Sequence, residues 1–240
     1  EDSTNYSAGL VWSSGDWLVT VDGYRIEVED RIALSSSFEL TDAERAALVA
    51  SGNAEAASLT SVTYFGNAFD TTTTGLDVVA SLRTGHFGGT TTYSLAGNWN
   101  RTRVDRFNAD FVDEARVYKI EESLPRTKGY FSVNHRRDVF HANLRLAYYG
   151  SWYEDHVDSA VIRVEDGGLP IYDGSAVIVD AEIGWRFASG LYVNLGAQNL
   201  FDKVPVDNPW GASVAGAAYP VHSPYGFNGG FYYARVGWTF

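Results

Sequence analysis

The last ten residues, Phe231-Tyr-Tyr-Ala-Arg-Val-Gly-Trp-Thr-Phe240, alternate in character. Read with the two-residue period of a strand, Tyr232, Ala234, Val236, Trp238 and Phe240 share one face, and Phe231, Tyr233, Arg235, Gly237 and Thr239 share the other. The first face is wholly apolar; the second carries a charge, a hydroxyl and a glycine. Chain ends usually fray, so an aromatic strand at this position needs a surface that holds it. Lipid on one side and a wet lumen on the other satisfies the pattern.

The same alternation recurs upstream. Phe140, Ala142, Leu144, Leu146 and Tyr148 oppose His141, Asn143, Arg145, Ala147 and Tyr149. Val177, Val179, Ala181, Ile183, Trp185 and Phe187 oppose Asp180, Glu182, Gly184 and Arg186. Similar patterns over 5–12, 17–34, 61–83, 91–99, 128–136 and 191–201 bring the expected strands to nine. Within 17–34 the apolar set moves from Trp17, Val19 and Val21 to Tyr24, Ile26 and Val28, which predicts a bulge at Asp22-Gly23. One short helix is expected in a long loop, from about Asp42 to Ser51, because Thr41 and Glu44 stand at capping-box spacing and Gly52 closes the pattern.

The connections sort by length. Short turns fall near Ser13, Thr84, Arg137 and Ser189, and long excursions near Leu40, Asp110, Glu165 and Asn208. A soluble sandwich has no reason for that sorting, whereas an outer-membrane barrel keeps periplasmic turns short and extracellular loops long. The strands exceed the ~9–11 residues a tilted crossing needs, so they project above the bilayer. The reading is therefore all-β, an antiparallel transmembrane β-barrel. Nine strands leave two open edges and break the even count of bacterial single-chain barrels. Residues 1–240 are accordingly expected to be the C-terminal portion of a larger barrel.

Composition agrees. Fifteen Tyr, 13 Phe and 7 Trp accompany 24 Gly, which favours an aromatic-rich β architecture. There is no run of eighteen apolar residues, so a membrane-spanning chain of this sequence must use strands. Absence of cysteine excludes disulfides and thiolate metal sites. A net charge of −12 argues against nucleic acid as a partner and suits outer loops that meet a cation or a neutral sugar, although acidity also serves plain solubility. The chain starts at Glu1, contains no Met and shows no signal peptide, so a processed chain or fragment is expected.

Against this background, Gly196-Ala-Gln-Asn-Leu-Phe-Asp-Lys-Val-Pro205 resembles the penultimate-strand motif of the TonB-dependent outer-membrane receptors, and the stretch from Ser223 to Phe240 resembles their terminal strand. The stretches Asn5–Trp12, Tyr24–Ile32 and Tyr64–Thr71 are similar to barrel segments of a large subgroup. The resemblance implies a plugged barrel of about 22 strands in the Gram-negative outer membrane, of which this chain supplies about the last nine. It implies active import of a siderophore, vitamin or carbohydrate, driven by a TonB-type energy transducer acting on a plug domain that, with the earlier strands, is absent here. A passive porin or an outer-membrane adhesin is the alternative. The terminal residues Tyr232, Ala234, Val236, Trp238 and Phe240 resemble the signal read by the barrel-assembly machinery.

Candidate chemistry is sparse. Arg145, Asp180, Glu182, Arg186 and Arg235 fall on lumen faces and form an expected polar network between walls, or between wall and plug. His141, beside Asn143, lacks a GxSxG nucleophile elbow to serve, and no enzyme is expected. Glu154, Asp155, His156 and Asp158, and likewise Asp105, Asp110, Asp113 and Glu114, hold hard ligands at loop tips but match no calcium-loop spacing, and solvated charge is the expected role. No cofactor is expected. Tyr153, Trp210, Tyr219 and Tyr225 are aromatics of the outer loops that either stack on a ligand or pack the loops together.

Overall fold

The structure is a computed structural model that describes residues 1–154, 171–209 and 216–239. Its strands are β1 (Asp2–Ser14), β2 (Trp17–Leu34), β3 (Phe38–Glu39), β4 (Ser61–Val62), β5 (Phe65–His86), β6 (Gly89–Phe107), β7 (Thr127–Arg137), β8 (Phe140–Tyr149), β9 (Trp152–Glu154), β10 (Ile171–Asp173), β11 (Ala176–Arg186), β12 (Leu191–Gln198) and β13 (Phe231–Trp238). Nine of them form one antiparallel sheet in the order β1-β2-β5-β6-β7-β8-β11-β12-β13, while β3-β4 and β9-β10 are small two-stranded antiparallel sheets. Sequential neighbours pair throughout, so the wall is an up-and-down meander.

One row of the register decides the faces. Trp17 sits opposite Leu82, Leu82 opposite Tyr93, Tyr93 opposite Val133 and Val133 opposite Leu144. Leu144 then faces Ala181, Ala181 faces Ala197, and Ala197 faces Tyr232. Paired residues share a face, so this apolar row crosses eight strands on one side of the sheet. One residue along, the opposite face reads Leu18, Ser81, Ser94, Ser132, Arg145, Asp180. The apolar side chains stay open: Leu10 is 69% exposed, Val236 64% and Leu195 52%. A continuous exposed apolar surface of this extent is a lipid-facing surface. Trp12, Trp17, Tyr93, Phe140, Trp185 and Trp238 ring its short-turn end, and Tyr6, Trp99, Tyr148 and Tyr232 its other end, as two interfacial girdles.

Asp22-Gly23 carries no bulge. Gly23 pairs in unbroken register with Ala8 and with Leu76, and the irregularity lies between Val28 and Arg31, where Asp30 takes a left-handed φ of 50°. The apolar set changes side because β2 leaves the bilayer there. Beyond Gly23 the outer face carries the Arg25–Glu27 ion pair at 2.6 Å, while Tyr24 turns inward over Gly75.

The expected helix is present as α1 (Asp42–Ala50), with both hydrogen bonds of the Thr41/Glu44 capping box. The carboxyl of Glu44 is held below its usual range chiefly by the hydrogen bond from the Thr41 hydroxyl, then by the Thr41 backbone N–H. A second helix, α2 (Glu114–Glu122), stands where an irregular polar loop was expected. Asp113 caps it by accepting the Arg116 N–H at 2.8 Å, and Val117 and Ile120, three apart on one face, pack on a small core of Ala68, Phe69 and Val112. Strand β6 also runs to Phe107, beyond the expected Trp99, pairing with β5 throughout, and Arg106 near its end is held by Asp70 at 2.5 Å.

Candidate functional site

The inner wall brings four of the five predicted lumen charges into two adjoining groups. Arg145 on β8 lies 3.6 Å from Asp180 on β11, and its guanidinium covers the Tyr130 ring at 5.3 Å. Asp180 also accepts the Asn199 backbone N–H at 2.8 Å, which closes the end of β12. Two residues further along β11, Glu182 accepts the Tyr233 hydroxyl at 2.7 Å and lies 3.4 Å from His141 Nε2 and 3.9 Å from Arg235. Arg235 in turn stacks over Tyr233 at 5.4 Å. The fifth residue, Arg186, is exposed at the short-turn end and has no side-chain partner among the described residues. These pairs are half-exposed, where an ion pair contributes only ~0–1 kcal/mol.

His141 and Tyr233 join the network without having been singled out for it. Both lie across glycines: a Cβ at Gly184 would collide with the His141 ring, and one at Gly196 with the Tyr233 ring. Tyr24 over Gly75 and Tyr192 over Gly237 repeat the joint. The sequence signal for it is a glycine at a lumen position of one strand facing an aromatic on the next. A further polar group, in which Asn98 donates to Asp77 at 2.6 Å and to the Tyr24 hydroxyl at 3.2 Å, shares with Arg145 a groove of about 540 Å³ on the wall.

Above the wall the loops are tied to one another. Ser36 donates its N–H to the Phe111 carbonyl at 3.2 Å, and the Asp113 N–H donates to the Ser36 hydroxyl at 2.9 Å. Tyr153 on β9 is buried edge-on against Tyr118 of α2 at 5.0 Å and beside Tyr172 of β10 at 5.1 Å. The Tyr172 and Tyr118 hydroxyls are hydrogen-bonded at 3.2 Å, and the Tyr118 phenol is pushed up to about 12, first by this bond and then by burial. Tyr225 donates to Asp173 at 2.6 Å, and its phenol is pushed up by burial first and by that carboxylate second. Tyr153 and Tyr225 thus pack loop against loop, Tyr219 is half-buried, and Trp210 lies outside the described residues.

Glu154 is not a solvated loop charge. It is buried, and its carboxylate accepts the N–H groups of Val221 at 3.2 Å and His222 at 2.9 Å. Asp155, His156 and Asp158 lie outside the described residues. Asp105 accepts the Thr72 hydroxyl at 2.5 Å and Asp113 is the α2 cap, and no group of three metal-ligating side chains occurs among the described residues. Replacing Glu154 with Ala is expected to strand two backbone donors and loosen the loop around Val221 and His222 by ~1–3 kcal/mol. Limited proteolysis of intact cells would register this as faster cleavage in that loop, and an unchanged rate would remove Glu154 as its anchor.

Of the terminal residues, Tyr232, Ala234, Val236 and Trp238 stand on the outer face, paired with Ala197, Leu195, Val193 and Leu191. Phe240 lies outside the described residues.

Comparison with known proteins agrees with this geometry. A family model described as TonB dependent receptor-like, beta-barrel, matches residues 1–200. The FrpB iron transporter of Neisseria meningitidis superposes with a TM-score of 0.57 at 17% identity, over 85% of this chain and 27% of its own. The ferric yersiniabactin uptake receptor FyuA of Yersinia pestis gives 0.55 at 16% identity, over 97% and 28%. The copper transporter OprC gives 0.57 at 17% identity, over 99% and 31%. The chain thus spans less than a third of the length of these structures, and no curated protein sequence matches it. With the family model covering most of the chain and the wall sorted into a lipid face and a polar face, the chain belongs to the TonB-dependent receptor β-barrel family of the Gram-negative outer membrane.

Proposed function

We propose that this chain is the C-terminal barrel portion of an active transporter that imports a scarce nutrient across the outer membrane. The observation that carries the reading is the open wall: among the described residues β1 pairs only with β2 and β13 only with β12, so each edge awaits another strand. Further strands of the same polypeptide would complete a barrel of about 22, wide enough to need a plug. That plug, outside these 240 residues, would be the part a TonB-type transducer pulls. The solved structures it resembles are named for iron, a ferric siderophore and copper, and acidic loops favour a metal-bearing small molecule over a polyanion. In this chain the inner-wall groups around Asp180 and Glu182 orient polar side chains toward the plug or passing ligand, rather than toward catalysis. Tyr232, Ala234, Val236 and Trp238 act first as the strand presented to the assembly machinery.

Whole-cell uptake tests the proposal. Cells carrying the complete gene should accumulate labelled iron from a panel of ferric siderophores, or labelled copper, and accumulation should stop when a protonophore collapses the inner-membrane gradient. Uptake that is linear in concentration and indifferent to the protonophore would instead describe a passive pore. Cell attachment without uptake would describe an adhesin.

A further inference from the structure

The lipid face is not featureless near its short-turn end. Trp17, Ala80, Leu82, Tyr93, Leu95 and Phe131 line an open groove of about 390 Å³ across β2, β5, β6 and β7. The register puts all six on the outer face. Tyr93 marks the lower end of this groove, its ring 6.4 Å from that of His86.

Below the groove the outer face carries N–H donors. His86 on β5 and His135 and Arg137 on β7 fall at outer-face positions of the register. His135 Nδ1 is 2.9 Å from the hydroxyl of buried Thr91, which fixes the ring and leaves Nε2 unengaged by that bond. Arg137 lies across the β5–β6 turn and donates one N–H to the Phe87 carbonyl at 3.3 Å, leaving the rest of its fork unengaged by that bond. Phe87, at the turn, is 80% exposed, with its ring 6.1 Å from both imidazoles. Asp138 is the acidic neighbour, 4.0 Å from Arg137 Nε and itself open to solvent. Around the four short turns Arg83, Arg136, Arg137 and Arg186 stand against Asp16 and Asp138, and of these arginines Arg137 takes an outer-face position while the other three take inner-face positions of the register.

We propose that this end of β5–β7 binds one anionic phospholipid of the inner leaflet of the outer membrane. Its phosphate sits against His86, His135 and Arg137, Phe87 lies at the level of its glycerol, and one acyl chain occupies the groove above Tyr93. Guanidinium and imidazole N–H groups match phosphate oxygens. An acyl chain already surrounded by lipid gains little by entering an apolar groove, so selectivity comes from the head-group charge and from the shape of the slot. Short turns mark the periplasmic side, which places the site in the phospholipid leaflet.

The test uses the intact receptor that contains this chain, purified in a neutral detergent and titrated with dioleoylphosphatidylglycerol or dioleoylphosphatidylcholine, with bound lipid read by native mass spectrometry. The wild type should retain one phosphatidylglycerol at least about fivefold more than phosphatidylcholine, the scale of a few surface charge contacts. The His86→Gln/His135→Gln/Arg137→Gln variant should lose that preference. Ala80→Trp, which fills the groove, should lose the retained lipid while keeping the heat-modifiable migration of a folded barrel. Equal retention of the two lipids, a preference that survives the triple substitution, or full retention in Ala80→Trp would overturn the site. Displacement of the lipid by inorganic phosphate alone would reduce it to a simple anion site and overturn it as well. A wild-type receptor without heat-modifiable migration would refute the lipid-facing reading on which the site rests.

Discussion

Arginine at position 236 is expected to abolish assembly of the barrel, whereas arginine at position 239 is expected to be tolerated. Val236 is 64% exposed on the outer face, pairs with Val193 and lies between the girdle residues Trp238 and Tyr232. A cation there meets hydrocarbon and costs ~2–4 kcal/mol near the bilayer midplane. That is a large share of the ~5–15 kcal/mol by which folded proteins are usually stable. With the assembly role proposed above for this strand, the loss would fall on folding yield as well as on final stability. Thr239 follows Trp238, the last residue of β13, and is exposed, so arginine there keeps its water. The check is the fraction of full-length receptor that migrates as a folded, heat-modifiable band in isolated outer membranes. Val236→Arg should fall to a few per cent of wild type and Thr239→Arg should stay near it; equal yields would refute the assignment of faces. Asn194, also on the lumen side, makes a poorer control because it is 9% exposed and packed against Gly184.

The strands were legible because a transmembrane wall imposes one rule on every residue. Tyr232, Val236 and Trp238 have no choice but lipid, so period-two alternation is nearly free of exceptions and gives the count of nine and the sorted turns. The rule lapses above the bilayer. In β2 the change of face after Val21 is the strand leaving hydrocarbon, which alternation alone cannot distinguish from a bulge. In α2 the apolar pair Val117 and Ile120 is too short a stripe to stand out among charges, and the helix exists because Phe69 and Val112 offer it a surface. The lumen charges were legible as a set, since a charge on a lipid-backed strand must face water. Their partition was not. Asp180 pairs with Arg145 while Glu182 takes Tyr233, His141 and Arg235 because strand register and glycine floors decide which tips meet.

That dependence on glycine gives the second large expected effect. Gly196 lies on β12 beneath the Tyr233 ring, and a side chain at this position would occupy the space the ring now fills. Gly196→Val must therefore lift Tyr233 off the wall, at ~1–3 kcal/mol for overpacking. Lifting it also takes the hydroxyl from Glu182, a bond to a charged acceptor that contributes ~1.5–3 kcal/mol. Tyr233→Ala alone forfeits the bond but frees the space. If the joint is real, Gly196→Val should cost little once Tyr233→Ala is present, with a coupling of ~0.5–3 kcal/mol between the two positions. Urea unfolding of the receptor in lipid vesicles, run on the two single variants and the double, measures this directly. Additive losses would mean that the ring can move aside freely and that Glu182 is oriented by His141 and Arg235 instead. Non-additive losses, repeated at Gly75 with Tyr24 and at Gly237 with Tyr192, would make these glycines the device that holds neighbouring strands in the register from which the lumen groups take their positions.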